Sequence, residues 1–124
     1  MVILAVAAFV EAVTGLALMI DPVIVVRIML GAEVSGSGTL LGRLFGIAVL
    51  ALGFACWPGR KGAERDSPAF RAMLIYNVLV AGYVSYLGAV EYLEGLLLWP
   101  AVAFHAGVAL AIGRSGLART YGSS

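Results

Sequence analysis

Polar side chains are rare in the long apolar stretches of this sequence, and the few that occur there are its candidates for chemistry. They are a carboxylate, a guanidinium, an amide and an imidazole, namely Glu11, Arg43, Asn77 and His105. An ionised group alone in an apolar environment costs several kcal/mol of free energy, so such groups turn inward and pair. We therefore expect a buried ion pair between Glu11 and Arg43, with Asn77 and His105 completing a polar cluster.

These four residues could serve structure or function. The Glu11–Arg43 pair is either an ion pair that fixes the register of two helices or a carboxylate that binds a ligand or a proton beside a cation. His105 fits a hydrogen-bonded core histidine better than a haem or metal ligand, because the chain has one histidine and further ligands are missing. Asn77 fits a helix–helix hydrogen bond better than a substrate contact. We expect no metal and no other cofactor.

The composition indicates what surrounds these side chains. The chain has 124 residues, of which 62% are hydrophobic and only 12% are charged. A water-soluble domain of this size needs more charge to cover its surface, so we expect a single membrane domain over residues 1–124. A helix needs about 20 mostly apolar residues to cross a bilayer. The segments that qualify are 1–20, 40–57, 69–90 and 96–113.

The fold class predicted from these segments is all-α: a polytopic membrane four-helix bundle with a short interfacial helix after the first span. Residues 23–30 are apolar but too short to cross, so they should lie along the interface or pack against the bundle. Asp21-Pro22 and Ser67-Pro68 are typical of helix starts, because Asp and Ser cap a helix and proline suits its first position. The polar segment 60–67 should form a loop, and the tail 114–124 should be frayed.

Glycines in the second span indicate a close helix contact. Gly42, Gly46 and Gly53 recur at helical spacing, and small residues let helices approach each other in a membrane. Packing within the chain is the simpler interpretation, and a dimer contact is the alternative. The single cysteine, Cys56, excludes an internal disulfide and fits an inert, small apolar residue near the cytoplasmic interface.

The distribution of basic residues predicts the orientation. With four spans, six of the eight Lys and Arg residues fall on the side of both termini, which are Arg60, Lys61, Arg65, Arg71, Arg114 and Arg119. Cytoplasmic loops carry such an excess. We therefore expect an inner-membrane protein with cytoplasmic termini. The scattered basic residues show no nucleic-acid footprint.

The polar cluster suggests a ligand site within the bundle. Intramembrane hydrogen bonds average only about 0.6 kcal/mol, so helix association does not require four polar side chains at similar depth. We expect a pocket opening toward the outer leaflet, with Glu11, Asn77 and His105 as its floor. Its wall would be Arg43 and a tyrosine, from Tyr76 or Tyr83.

The expected function is that of an accessory subunit, or of a protein that binds a lipid- or quinone-like amphipathic ligand. Expected partners are membrane lipids and such a ligand, with a homo-oligomer or a larger membrane complex as further possibilities. A lipid-modifying enzyme that uses Glu11 and His105 as acid and base is another alternative. The sequence shows no nucleophile–base pair or phosphate-binding loop that would favour it.

The layout resembles the small bacterial DoxX-like four-helix membrane proteins. The shared features are an acidic residue in the first span, Asp21-Pro22 at its end, Gly42-Arg43-x-x-Gly46 opening the second span, and the later Asn77 and His105. Some members resemble subunits of membrane oxidoreductases, so the resemblance implies an accessory role. It supplies no catalytic residue.

The segment Phe9-Val10-Glu11-Ala12-Val13-Thr14-Gly15 is similar to the first helix of small multidrug resistance transporters. That resemblance implies that Glu11 exchanges protons for cationic drugs. The chain departs from the family in its long polar 60–67 loop, its lack of the third-helix tryptophan motif and its strong charge bias. A neighbouring Arg43 would also repel a cation. A proton-coupled transporter is therefore the second hypothesis.

Overall fold

The computed structural model describes residues 2–59 and 67–120, with side chains through Ser115. Within these residues the chain forms five helices and no strand, which confirms the all-α prediction. The helices are α1 (Val2–Ile20), α2 (Pro22–Leu30), α3 (Ser37–Ala55), α4 (Pro68–Ala89) and α5 (Leu98–Thr120). Most of the predicted polar loop, residues 60–66, and the end of the tail, 121–124, lie outside the described part of the chain.

Two helix starts use the capping residues that the sequence indicated. The Asp21 carboxylate accepts a hydrogen bond from the backbone N–H of Ile24 at 3.1 Å and begins α2. The Ser67 hydroxyl accepts one from the backbone N–H of Phe70 at 3.3 Å and begins α4. A proline follows each cap, where its missing N–H costs nothing. The short helix predicted after the first span is therefore present, and it ends at Gly31 in the left-handed region (φ 69°).

The prediction of four spans is confirmed only in part. Among the described residues, α1, α3 and α4 are long and apolar enough to cross a membrane, and α5 does not meet the same criterion. α5 has Trp99 and Pro100 in its first turn, carries His105 and runs on past Arg114 to Thr120. These residues lower the mean hydropathy of the helix. The frayed tail expected from Arg114 onward was wrong up to Thr120, because the helical backbone continues there.

The long helices form two closely packed antiparallel pairs, α1 with α3 and α4 with α5. Glycines bring α1 and α3 together: a Cβ atom added at Gly46 would lie 2.7 Å from the carbonyl oxygen of Gly15. An atom added at Gly53 would lie 2.7 Å from the backbone N of Ala12. The small residues of the second span therefore pack within the chain, which was the simpler of the two interpretations.

The two ends of the bundle differ. At the end nearest the N-terminus, both pairs share a core made of Leu4, Ala7, Ala8, Cys56, Phe70, Met73, Val108 and Ile112. At the opposite end the pairs diverge, and α2 lies across the space between them. The polar side chains that concern function lie where the solid core gives way to this space.

The outer surface of the bundle is strongly apolar. Large hydrophobic side chains are exposed along α1 at three- and four-residue intervals, at Val2, Val6, Phe9, Val13, Leu16 and Ile20. Exposed leucines, isoleucines and aromatics continue around α3 and α4. Contiguous apolar surface of this extent is compatible with a membrane environment and marks an interaction surface.

Candidate functional site

Glu11 lies midway along α1, and its side chain is almost fully buried, with 1% of the residue exposed. The Tyr76 hydroxyl, from α4, donates a hydrogen bond to Glu11 Oε2 at 2.9 Å. The other carboxylate oxygen, Oε1, has no hydrogen-bond partner among the described residues. A buried polar atom without a partner costs about 1–3 kcal/mol. Glu11 therefore presents one unsatisfied oxygen at the centre of the bundle.

His105 on α5 and Asn77 on α4 form a second buried contact. His105 Nδ1 lies 2.8 Å from Asn77 Oδ1, and the Asn77 amide donates to the carbonyl oxygen of Met73 at 2.8 Å. Because the amide nitrogen is engaged with that carbonyl, Oδ1 faces the imidazole and can only accept. His105 Nδ1 therefore carries the proton, and Nε2 of the neutral ring is an acceptor.

The His105 ring is fixed by its surroundings. Tyr76 and Phe104 both pack edge-on to it, with ring centroids 5.9 and 5.5 Å away. Nδ1 also lies 3.7 Å from Glu11 Oε1, which is too long for a hydrogen bond. Among the described residues Nε2 makes no hydrogen bond, and 8% of the His105 residue is exposed.

The expected ion pair between Glu11 and Arg43 is not formed, and that prediction was wrong. Arg43 is exposed, and neither a hydrogen bond nor an ion pair connects it to Glu11. Gly42 and Gly46 occupy the inward face of α3, against Pro22 and Gly15. Residues one position apart on an α-helix differ by about 100° in direction, so Arg43 turns away from that face.

A cavity of about 710 Å³ lies beside Glu11 and His105, in the space between the two helix pairs. This size falls in the range of roughly 300–1,000 Å³ that is typical of small-molecule sites. Tyr76 and Tyr83 also line it, so the structure brings four of the six predicted site residues to one cavity. Asn77 stands behind His105 as its hydrogen-bond partner, and Arg43 lies outside.

The lining is otherwise apolar, and part of it was not predicted as a site. The short helix α2 contributes Val25, Val26, Met29 and Leu30. The signal was present in the sequence, because positions 25 and 29, like 26 and 30, are four apart and share one helix face. These side chains make α2 a cover over one end of the cavity.

Backbone contacts fix α2 in this position. The backbone N–H of Leu97 donates to the carbonyl oxygen of Ile28 at 3.0 Å. A Cβ atom added at Gly95 would collide with the backbone of Met29, so this glycine allows the α4–α5 connection to lie directly on α2. The cover is therefore attached to both halves of the molecule.

A second polar contact lies away from the cavity. Arg27 donates two hydrogen bonds to the Glu33 carboxylate, at 2.9 and 3.0 Å, and both side chains are exposed. The hydrogen bond and the charge of Arg27 lower the pKa of Glu33, and those of Glu33 raise the pKa of Arg27. An exposed pair of this kind contributes little to stability.

The part of the chain that the structure describes contains no group of three or more His, Cys, Asp and Glu side chains placed to hold a metal ion. No protein family, curated protein or solved structure matches this chain. What this chain can bind therefore follows from the geometry of the cavity and of its polar floor, Glu11 and His105.

Proposed function

We propose that this protein binds a lipid- or quinone-like amphipathic molecule in the cavity, with the headgroup of that molecule on Glu11 and His105. The observation that carries the proposal is Glu11, which lines the cavity and whose buried carboxylate oxygen Oε1 has no hydrogen-bond partner among the described residues. A solid core would have satisfied this atom, since buried polar groups in native proteins are hydrogen-bonded. A small rotation of the Glu11 carboxyl group toward the cavity would let a ligand headgroup supply the missing bond.

The rest of the lining suits the apolar part of such a ligand. From Glu11 and His105 the cavity extends past Tyr83 to Met29 and Leu97 at the α2 end. Small-molecule sites combine a few polar groups that orient the ligand with a largely apolar lining. One polar end and a long apolar remainder match a molecule with a headgroup and a hydrocarbon portion.

The proposed setting is the bacterial inner membrane. Its support is the three apolar helices and the exposed hydrophobic surface around them. Because α5 packs antiparallel along α4, we propose that it crosses beside α4 despite its weaker apolar character. Four crossings place both termini on one side, and the excess of Lys and Arg there favours the cytoplasm. The cavity then lies in the outer half of the membrane.

Within this proposal the protein is an accessory or ligand-binding component rather than an enzyme. The resemblance to DoxX-like proteins supports the accessory role, because residues that carry it, Asn77 and His105, belong to the polar cluster. The cluster fixes one imidazole tautomer and leaves two polar atoms, one on Glu11 and one on His105, for a ligand.

The test is the retention of a ligand through purification. Wild-type protein, Glu11→Gln and Glu33→Gln are purified from the same host membranes in mild detergent, and co-purified lipids are quantified by mass spectrometry. The amide introduced by Glu11→Gln keeps an oxygen for the Tyr76 bond but presents an N–H group to the cavity. Glu33→Gln removes the same charge at an exposed site outside the cavity.

We expect one lipid species enriched with wild type and Glu33→Gln and lost from Glu11→Gln, with similar melting temperatures for all three proteins. Equal retention by Glu11→Gln would contradict the proposal. Wild-type protein that retains no lipid species above the bulk-lipid background would also contradict the proposal.

Proton-coupled transport of a hydrophobic cation is the second candidate, and one observation favours it. Arg43, which would have neutralised Glu11 and repelled a cation, lies outside the cavity. Among the described residues that line the cavity, Glu11 is then the only Asp, Glu, Lys or Arg. The test is proton movement in proteoliposomes on addition of tetraphenylphosphonium. Transport predicts a signal with wild type and Glu33→Gln that Glu11→Gln abolishes, and no signal with wild type removes this candidate.

A further inference from the structure

We infer that the ligand is a lipid with a hydroxyl headgroup, and that it reaches the cavity sideways from the membrane through the gap between α3 and α4. This inference rests on the proposed function and adds the chemical class of the ligand and its route. The polar floor of the cavity, Glu11 and His105, supports the headgroup class, and the exposure of three lining residues supports the route.

The class of headgroup follows from the hydrogen-bonding atoms of Glu11 and His105 that have no partner among the described residues. His105 Nε2 is an acceptor because Nδ1 donates to Asn77, so its ligand partner must be a donor. Glu11 Oε1 accepts when the carboxyl is ionised and can donate when it is protonated, and it has no partner in the described residues. A hydroxyl group can donate to Nε2, and it can also serve Oε1 in either state because it both donates and accepts.

Charge excludes the common anionic headgroups. No Lys or Arg belongs to the described lining of the cavity, and Arg43 points away from it. Phosphate and carboxylate headgroups are bound through cations or through several N–H donors. The described floor offers neither, and an ionised Glu11 would repel them. A carbonyl headgroup lacks the hydrogen that His105 Nε2 requires.

The route follows from the helix pairs. Phe45 on α3 and Leu79 and Tyr83 on α4 line the cavity, yet they are 53%, 66% and 64% exposed. Side chains that face both the cavity and the exterior mark its opening. The α1–α3 and α4–α5 contacts are closely packed, whereas α3 and α4 belong to different pairs and make few contacts.

This opening faces the part of the surface where large apolar side chains are exposed, so in a membrane it leads to lipid chains. α2 and the α4–α5 connection cover the end of the cavity that lies toward the aqueous side. A ligand whose headgroup lies on Glu11 can thus extend its hydrocarbon chain past Leu79 into the bilayer without crossing that cover.

The headgroup is tested with probes that share one dodecyl chain, added to the purified protein in lipid nanodiscs. The probes are 1-O-dodecylglycerol, its di-O-methyl ether, dodecanoate and dodecylamine. Binding is measured for wild type, Glu11→Gln and Glu33→Gln. We expect dodecylglycerol to bind about tenfold or more tightly than its dimethyl ether, because the ether has lost its donors. Glu11→Gln should weaken dodecylglycerol binding, and Glu33→Gln should not.

The outcomes separate this inference from the proposed function. Equal binding of the ether, or tighter binding of dodecanoate or dodecylamine, that is still lost in Glu11→Gln overturns the hydroxyl headgroup but keeps a Glu11-dependent ligand. Failure of every probe to bind in a Glu11-dependent way overturns the headgroup, while co-purification of a lipid that depends on Glu11 still upholds the proposed function.

The route is tested by narrowing the gap with Leu79→Trp and measuring exchange of tritiated dodecylglycerol. Ile75→Trp is the matched control, because Ile75 lies one turn away on α4, is 59% exposed and does not line the cavity. We expect Leu79→Trp to slow both association and dissociation about tenfold, since it narrows the gap through which the ligand must pass. Unchanged rates, or equal slowing by Ile75→Trp, would overturn the lateral route.

Discussion

The close contact between α1 and α3 can be tested by adding a single methyl group. A Cβ atom at Gly46 would lie 2.7 Å from the carbonyl oxygen of Gly15, and 2.9 Å from both the Cβ atom of Leu18 and the backbone N of Met19. Non-bonded heavy atoms prefer about 3.5–4.0 Å. Two of these three neighbours are backbone atoms of α1 that cannot rotate away, so Gly46→Ala must push the two helices apart.

The matched control is Gly107→Ala on α5. Gly107 also lies inside a helix, but an added Cβ atom there would meet nothing within 4 Å. Both substitutions remove the helix penalty of glycine, roughly 0.5–1 kcal/mol, so this gain cancels when the two variants are compared. The remaining difference is the cost of overpacking, which is about 1–3 kcal/mol.

The assay is unfolding in mixed micelles with increasing SDS, followed by far-UV circular dichroism. We expect Gly107→Ala to unfold at the wild-type SDS fraction or slightly above it. Gly46→Ala should lose about 1–3 kcal/mol of unfolding free energy relative to that control. Equal unfolding free energies for the two variants, or a more stable Gly46→Ala, would refute the close packing of α1 against α3.

Three further predictions concern the site, the surface and the orientation. Tyr76→Phe removes the one hydrogen bond that Glu11 makes within the described chain and should lower the unfolding free energy by about 1–3 kcal/mol in the same assay. Tyr83→Phe, the control, should leave it unchanged, and equal losses for the two variants would contradict the role of Tyr76. The pKa of Glu33 is lowered by Arg27, so this pair stabilises the fold above the ordinary pKa of a glutamate and loses its contribution as the pH falls through the lowered value. As the pH is lowered through this range, the melting temperature should fall slightly more for wild type than for Glu33→Gln. Identical plots of melting temperature against pH for the two proteins in low salt would show that the pair does not contribute. A reporter that is active only in the cytoplasm should be active when fused after Ser124, and activity of a periplasmic reporter there would reverse the proposed orientation.

The elements of the fold were largely predictable because each has a local cause. Apolar length indicates the long helices, and Asp21-Pro22 and Ser67-Pro68 indicate where two helices begin. The end of α5 was not predictable in this way, because the charge of Arg114 suggests the start of a solvated tail. An arginine is a good helix former, so it marks the end of an apolar segment without ending the helix.

The buried site residues could be predicted from the free-energy cost of an isolated polar group in an apolar bundle. The prediction failed where the outcome depends on the direction in which a side chain points. Glu11, Asn77 and His105 face inward because polar groups in an apolar bundle must find one another. The charge of Arg43 suggests a place in the cluster, although its position next to Gly42 already turns it outward. The covering role of α2 depends on contacts between residues far apart in the sequence, such as Met29 and Gly95, and no local pattern reports those.

The division into two helix pairs has a consequence for how the protein is made. Chains are synthesised from the N-terminus, so α1 and α3 are available to pack before α4 and α5 exist. Every polar side chain that approaches Glu11 within the described chain, Tyr76 and His105, belongs to the second pair. In the first pair alone, the Glu11 carboxyl group would therefore lack both of these neighbours. Docking of the second pair supplies these neighbours, so burial of Glu11 in a polar surrounding favours completion of the bundle.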